Sequence, residues 1–249
     1  DLVIIATVTH FLQTPSLATK IAHAVGSTGA AFDISAACAG FCHGIALARD
    51  AIKGGTSTYA LVIGVERLSD ITDTDDRGTA FIFADGAGAA IVGPSEADDI
   101  GPVVWGSDGG NYDLIRQKED WMELVTSDSP GIPHLVMDGN PVFRWAVFTM
   151  AKVAQETLEK SGITADDLDV FLPHQANLRI VDALARATHL PERVQVADDI
   201  IHNGNTSAAS IPLALHAMLA DGRAKSGDKA LMIAFGAGLS YAAQVVTVP

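Results

Sequence analysis

Three short segments of this 249-residue chain recur later in the same order. "DLVIIATVTH" at the start is echoed by "DLDVFLPHQ" from Asp167, with Leu2 and Leu168 in matching places. "SAACAGF" (35–41) is echoed by "NGNTSAAS" (203–210), each a small-residue loop opening a helix. "ADGAGAAIV" (84–92) is echoed by "AFGAGLSYAAQVV" (234–246), and both read as glycine hairpins. The spacings agree, 36 residues from Leu2 to Cys38 and 37 from Leu168 to Asn205. Matches in one order point to a duplicated unit, and a duplicated unit must fold to the same architecture twice. The second block follows a long stretch that includes a helical pattern over 141–161, so the repeat predicts a comparable segment ahead of Asp1.

The unit itself is α/β. Short apolar runs at 2–8, 30–34, 59–65, 87–92, 103–106, 170–172, 230–234 and 242–248 read as buried strands. Helical patterns at 16–25, 38–53, 141–161, 176–188 and 207–221 lie among them. With 48% apolar, 18% charged and only 6% aromatic residues, the chain suits helices packed closely on buried sheets. The repeat divides it into an N-terminal half, 1–99, and a C-terminal half, 100–249. The stretch 108–139, with mixed charges and two prolines, reads as a loop or excursion.

A net charge of −14 argues against nucleic acid as a partner, since phosphate is repelled overall. No apolar run is long enough for a membrane span. Two cysteines four residues apart, Cys38 and Cys42, make neither a disulfide framework nor a metal ligand set. No metal is therefore expected, and a reducing, cytoplasmic setting is.

Four places offer chemistry. Cys38 stands where a strand hands over to a helix, among Ala36, Ala37, Ala39 and Gly40. Free N–H groups and the positive end of the helix dipole favour a thiolate there, whereas Cys42 reads as core. His174 follows a strand run and Pro173 at a sheet edge where ligand crevices form. Asn203 and Asn205 flank Gly204 ahead of a helix, and spacing does not choose between them, or between either and a cap. The turn "FGAGLS" (235–240) offers backbone N–H groups to an oxyanion.

Together "DISAACAGF", "DTDDRGTAFIFADGAGAA", "PHQANLRI", "NGNTSAAS" and "FGAGLSYA" resemble the β-ketoacyl-[acyl-carrier-protein] synthase III family, over nearly the whole chain. The resemblance implies a thiolase-like fold of two pseudo-duplicated halves in α-β-α-β-α layers. It implies decarboxylative condensation of an acyl-CoA starter with malonyl-acyl-carrier protein, initiating type II fatty-acid synthesis. Cys38, His174 and Asn205 become the catalytic set, with the N–H groups of Cys38 and Ala237 holding the oxyanion. Thr14 and Phe235 are expected at the acyl pocket, Thr14 reaching across a homodimer. Arg77, Asn140 and Asn177 are expected to contact coenzyme A, and Arg144, Arg179 and Arg186 to dock the carrier protein. The family's further N-terminal segment carries the aromatic partner of Arg77. Acyl-CoA enters as substrate, and no permanently bound cofactor is expected. Rival readings are a thiolase, which needs a second cysteine near the final glycine turn; a natural-product ketosynthase or acyltransferase; a papain-like hydrolase; and a binding subunit or inactive fragment.

Overall fold

Five consecutive apolar residues make β1 (Leu2–Ala6), and all five are buried. Such a strand needs neighbours on both edges and cover on both faces. It pairs in parallel with β2 (Ala30–Ile34) and β3 (Ala60–Arg67), and β4 (Asp85–Val92) closes the sheet antiparallel to β3, giving the order β2-β1-β3-β4. These elements belong to a computed structural model that describes residues 1–128 and 130–249.

Helix α1 (Leu17–Ala24) covers the outer face of this sheet, packing Ala18 and Ala22 on Val3 and Ile5. Helix α2 (Gly40–Lys53) covers the inner face. The second sheet, ordered β5-β11-β10-β8-β9, is built from β5 (Val104–Ser107), β8 (Val170–Pro173), β9 (Gln195–Val196), β10 (Lys229–Phe235) and β11 (Ser240–Thr247). Along β10 the side chains alternate. Ala230, Met232 and Ala234 face α2 and α7 (Ser210–Asp221), while Leu231, Ile233 and Phe235 face α4 (Gly139–Lys160) and α5 (Leu178–Ala187). The layers therefore run α1, first sheet, α2 with α7, second sheet, α4 with α5. Each large side chain fully buried between them, such as Ile4, Phe171 or Ile211, contributes roughly 1.5–3 kcal/mol.

The duplication is visible in the registers. Leu2 pairs with Ala60 in the first sheet and Val170 with Ala230 in the second, so Leu2 corresponds to Val170 rather than to Leu168. Ala84–Val92 is not a hairpin: β4 runs straight through it, and its glycines serve close approach. A Cβ on Gly88 would come within 2.8 Å of Pro212 in α7, and one on Gly86 within 2.9 Å of Thr206. The 108–139 excursion carries structure of its own, a two-stranded sheet of β6 (Ile115–Gln117) and β7 (Leu135–Met137) with a short α3 (Trp121–Val125) between. Sequence periodicity also missed β9 and α6 (Ile200–Asn203), both too short to show a period. No helix among the described residues is long and apolar enough to cross a membrane, and no group of His, Cys, Asp and Glu there is arranged to hold a metal.

Candidate active site

Cys38 lies in a 3-10 turn, Ala37–Ala39, between β2 and α2, two residues ahead of the helix that the sequence pattern starts at Cys38. Ala37 takes φ 45°, a conformation costing an L-residue about 1–3 kcal/mol. The kink turns the chain between strand and helix directly ahead of the thiol. Ser207 repeats it at φ 49° in the turn Ser207–Ala209 ahead of α7. Gly236, at the end of β10, lies against the first of these turns, where a Cβ would stand 2.6 Å from the Cys38 nitrogen.

His174 follows β8 and is buried at 3% exposure. Its Nδ1 is 2.7 Å from Ser210 Oγ at the start of α7. The Gln175 N–H donates to that same Oγ at 3.4 Å, and in the tautomer where the hydroxyl donates to Nδ1 the ring hydrogen sits on Nε2. Phe235 meets the ring edge-on at 5.9 Å. Asn205, also buried, accepts from the Ser207 N–H through Oδ1 at 2.9 Å and donates through Nδ2 to the Ala176 carbonyl at 3.4 Å. Its second Nδ2 hydrogen remains for a ligand.

These contacts gather the residues. Cys38 is joined through Ser207 to Asn205, Asn205 to the segment just past His174, and His174 through Phe235 and Gly236 back to Cys38. Cys38, Ser207 and Ala237 open on a cavity of about 930 Å³ with apolar walls that include Leu68, Ile71 and Phe83 and a charged rim at Arg116, Lys118 and Glu119. His174 and Asn205 are buried and do not line it.

Burial pushes the Cys38 thiol up to about 12, and the Glu66 charge adds to that, against a lowering by the Ser207 hydrogen bond. Burial therefore acts against the helix start, which favours a thiolate. Burial also pulls His174 down to about 3, so its imidazole is neutral. Cys42 is fully buried in the core between the sheets, its thiol pushed up by burial.

The remaining expected residues lie elsewhere. Phe235 is buried against His174 and Trp145 and is not on the cavity wall. Thr14 and Arg77 are exposed on loops away from this chain's own cavity. Asn140 is exposed in the first turn of α4, and Asn177 caps α5 by accepting from the Ile180 N–H at 3.0 Å. Arg144 on α4 and Arg179 and Arg186 on α5 are exposed on helices that pack together. Asp182 pairs with neither of the α5 arginines, and none of the three forms an ion pair among the described residues. Sequence reasoning missed Glu66, Ser207 and Ser210. The two serines sat inside the quoted "NTSAAS", and the only signal for Glu66 was a carboxylate closing an apolar strand run.

Solved structures share this fold. The priming β-ketosynthase of the R1128 polyketide pathway superposes with TM-score 0.97 at 49% identity, over 100% of this chain and 75% of that one. The 3-oxoacyl-(acyl carrier protein) synthase III of Pseudomonas aeruginosa PAO1 gives 0.91 at 36% identity, over 100% and 77%. Fold and site thus define a thiolase-fold condensing enzyme, an acyltransferase. Residues 32–109 match the family model for 3-oxoacyl-[acyl-carrier-protein] synthase III, and residues 158–248 its C-terminal model. β-Ketoacyl-[acyl-carrier-protein] synthase III of Streptomyces glaucescens is 57% identical over 99% of this chain and 74% of its own length. The mycobacterial enzyme of Mycobacterium avium (strain 104) is 52% identical over 100% and 75%. The chain belongs to the β-ketoacyl-[acyl-carrier-protein] synthase III family.

Proposed function

We propose that this enzyme joins an acyl group from acyl-CoA to malonyl-acyl-carrier protein, with loss of CO2, through an acyl-Cys38 intermediate. The observation that carries the reading is the convergence of Cys38, His174 and Asn205 around the shared Ser207 and Gly236 contacts. Cys38 Sγ attacks the thioester carbon, and the N–H groups of Cys38 and Ala237 receive the oxyanion. Coenzyme A leaves as its thiol, taking up the proton the cysteine gave. Malonyl-carrier protein then loses CO2, and negative charge grows on the thioester oxygen.

His174 and Asn205 suit that second step. A neutral ring with hydrogen on Nε2 and a carboxamide N–H both donate without carrying a labile positive charge. They stabilise the enolate and do not protonate its carbon; the carbanion attacks the acyl-Cys38 carbonyl, the new C–C bond forms as the C–S bond breaks, and the Cys38 thiolate takes a proton from solvent as the β-ketoacyl product leaves. Arg144, Arg179 and Arg186 form the docking face for an acidic carrier protein, a reading supported by their exposure and by their lack of ion-pair partners among the described residues. Arg77, Asn140 and Asn177 serve coenzyme A. The chain works in the cytoplasm as a homodimer through its first sheet, whose edge strand β2 leaves Phe32 at 40% exposure, and Thr14 reaches the partner's acyl pocket.

A second reading, priming of a polyketide synthase, is favoured by the 0.97 superposition on the R1128 enzyme. Both readings are tested by incubating the protein with acyl-CoA thioesters of graded length and weighing the Cys38 peptide. An acyl adduct that discharges onto malonyl-carrier protein supports the condensation, and failure to acylate Cys38 rejects it. Preference for a fatty-acid or a polyketide carrier protein decides between the pathways.

A further inference from the structure

Glu66 closes β3 with 1% of its surface exposed. Its carboxylate receives the Thr9 hydroxyl at 2.7 Å, the Val8 N–H at 3.1 and 3.2 Å, and the Thr7 and Ser207 hydroxyls at 3.3 Å. No cation pairs with it among the described residues. A buried carboxylate held by neutral donors alone is costly, and it stands beside the one reactive sulfur.

Ser207 is the link. Its hydroxyl faces both Glu66 and the Cys38 thiol, and its N–H fixes the Asn205 amide. We propose that Glu66 is a positioning residue which, by anchoring Ser207 and by its own charge, sets how readily Cys38 releases its thiol proton. When ionised it holds Cys38 back; when protonated it releases that hold and keeps Ser207 in place. The inference rests on Cys38 being the nucleophile for its catalytic meaning, though not for its chemistry.

The setting confines the effect to this pair. On β4 the register partner of Glu66 is Gly86, which carries no charge. The neighbouring Arg67 turns outward to Asp70, and Asp85 is occupied by Ser69. In the loop after β1, His10 lies on the exposed side against the Pro15 carbonyl. His174, from the second half, is neutral. Burial raises Glu66 to about 7, opposed in part by its hydrogen bonds, so the carboxyl changes state near neutrality.

The test is iodoacetamide alkylation of the whole protein from pH 5.5 to 9.5, mapped to the Cys38 peptide. A thiol titrating alone gives a logarithmic rate that climbs with constant slope below its pKa. The wild type is expected instead to show a shelf near pH 7, where ionising Glu66 offsets the gain. Glu66→Gln should remove the shelf and alkylate several-fold faster above it, each unit of thiol pKa being worth about tenfold. Glu66→Asp, which keeps the charge, should restore it. A wild-type profile without a break overturns the proposal even if the glutamine variant fails to fold. So does a folded glutamine variant whose profile equals the wild type's, the result expected of a purely structural carboxylate. A protein that shows the shelf but takes no acyl group from acyl-CoA keeps this inference and loses the condensation reading.

Discussion

At the entry to the two central helices the backbone does the same thing twice, and the side chains differ. Ala37 and Ser207 make the same left-handed turn, and the strand registers align Ala6 with His174, Glu66 with Gly236, and the turns so that Cys38 falls opposite Ala208. In the first half Gly40 sits against Ala6, where a Cβ would come within 2.7 Å of the alanine. At the equivalent place in the second half, Ser210 holds the His174 ring. Glu66 reaches across to Ser207, while its counterpart Gly236 yields space to Cys38. One frame thus supplies the sulfur and a buried charge, and its copy supplies the imidazole and the amide. Duplication gave two matched platforms, and each could lose what the other keeps.

Exchanging residues between the halves tests this division. Cys38→Ala, which makes the first turn like the second, is expected to abolish the acyl-enzyme by intact mass and condensation with it. His174→Ala, which makes the second half like the first, should slow malonyl decarboxylation about 10²–10³-fold, the size of a lost oxyanion donor, while Cys38 still acylates. Equal losses in both half-reactions would break the assignment of the histidine to the second step. Gly236→Ala pushes a methyl into the Cys38 backbone and should cost about 1–3 kcal/mol of stability by urea denaturation, together with most acyl transfer.

Acid should also separate the halves. His174 falls from 6.5 to about 3 on folding, so the unfolded chain binds more protons between those values. The stability tied to its neutral form is complete above pH 6.5 and is lost as pH drops toward 3, by up to roughly 5 kcal/mol. Glu66 acts the other way: raised from 4.5 to about 7, it favours the fold below pH 4.5 and loses that contribution as pH rises to 7. Urea midpoints of His174→Ala should therefore fall less steeply than wild type between pH 6.5 and 4. The smallest effect is expected at the surface. Arg179→Glu should raise KM for malonyl-carrier protein about tenfold, chiefly through association, and leave acylation by acyl-CoA unchanged.

Much of this was legible in the linear chain. The apolar runs located β1, β8 and β10 because a strand buried on two faces is continuously apolar, whereas β2 and β4 are half exposed; the helices showed their period. Cys38 and His174 were visible as reactive types at the ends of strand runs, whereas Asn205 was visible only as one of two asparagines ahead of a helix, singled out over Asn203 by the family resemblance. The excursion and β9 were not, since three-residue and two-residue strands carry no period. "ADGAGAAIV" was misread because its glycines answer to a helix packed on them from another part of the chain, not to a local turn.

The order of residues alone fixed the α/β class and the kinds of group available for catalysis, and it pointed to a repeat without its register, since propensity and hydrophobic period act over a few neighbours. Only the tertiary structure decided their state. Burial raised the thiol's pKa and left the imidazole neutral, and Ser207 came to bind a carboxylate 141 positions away. Burial and hydrogen bonding govern those states, and both depend on which distant segments meet.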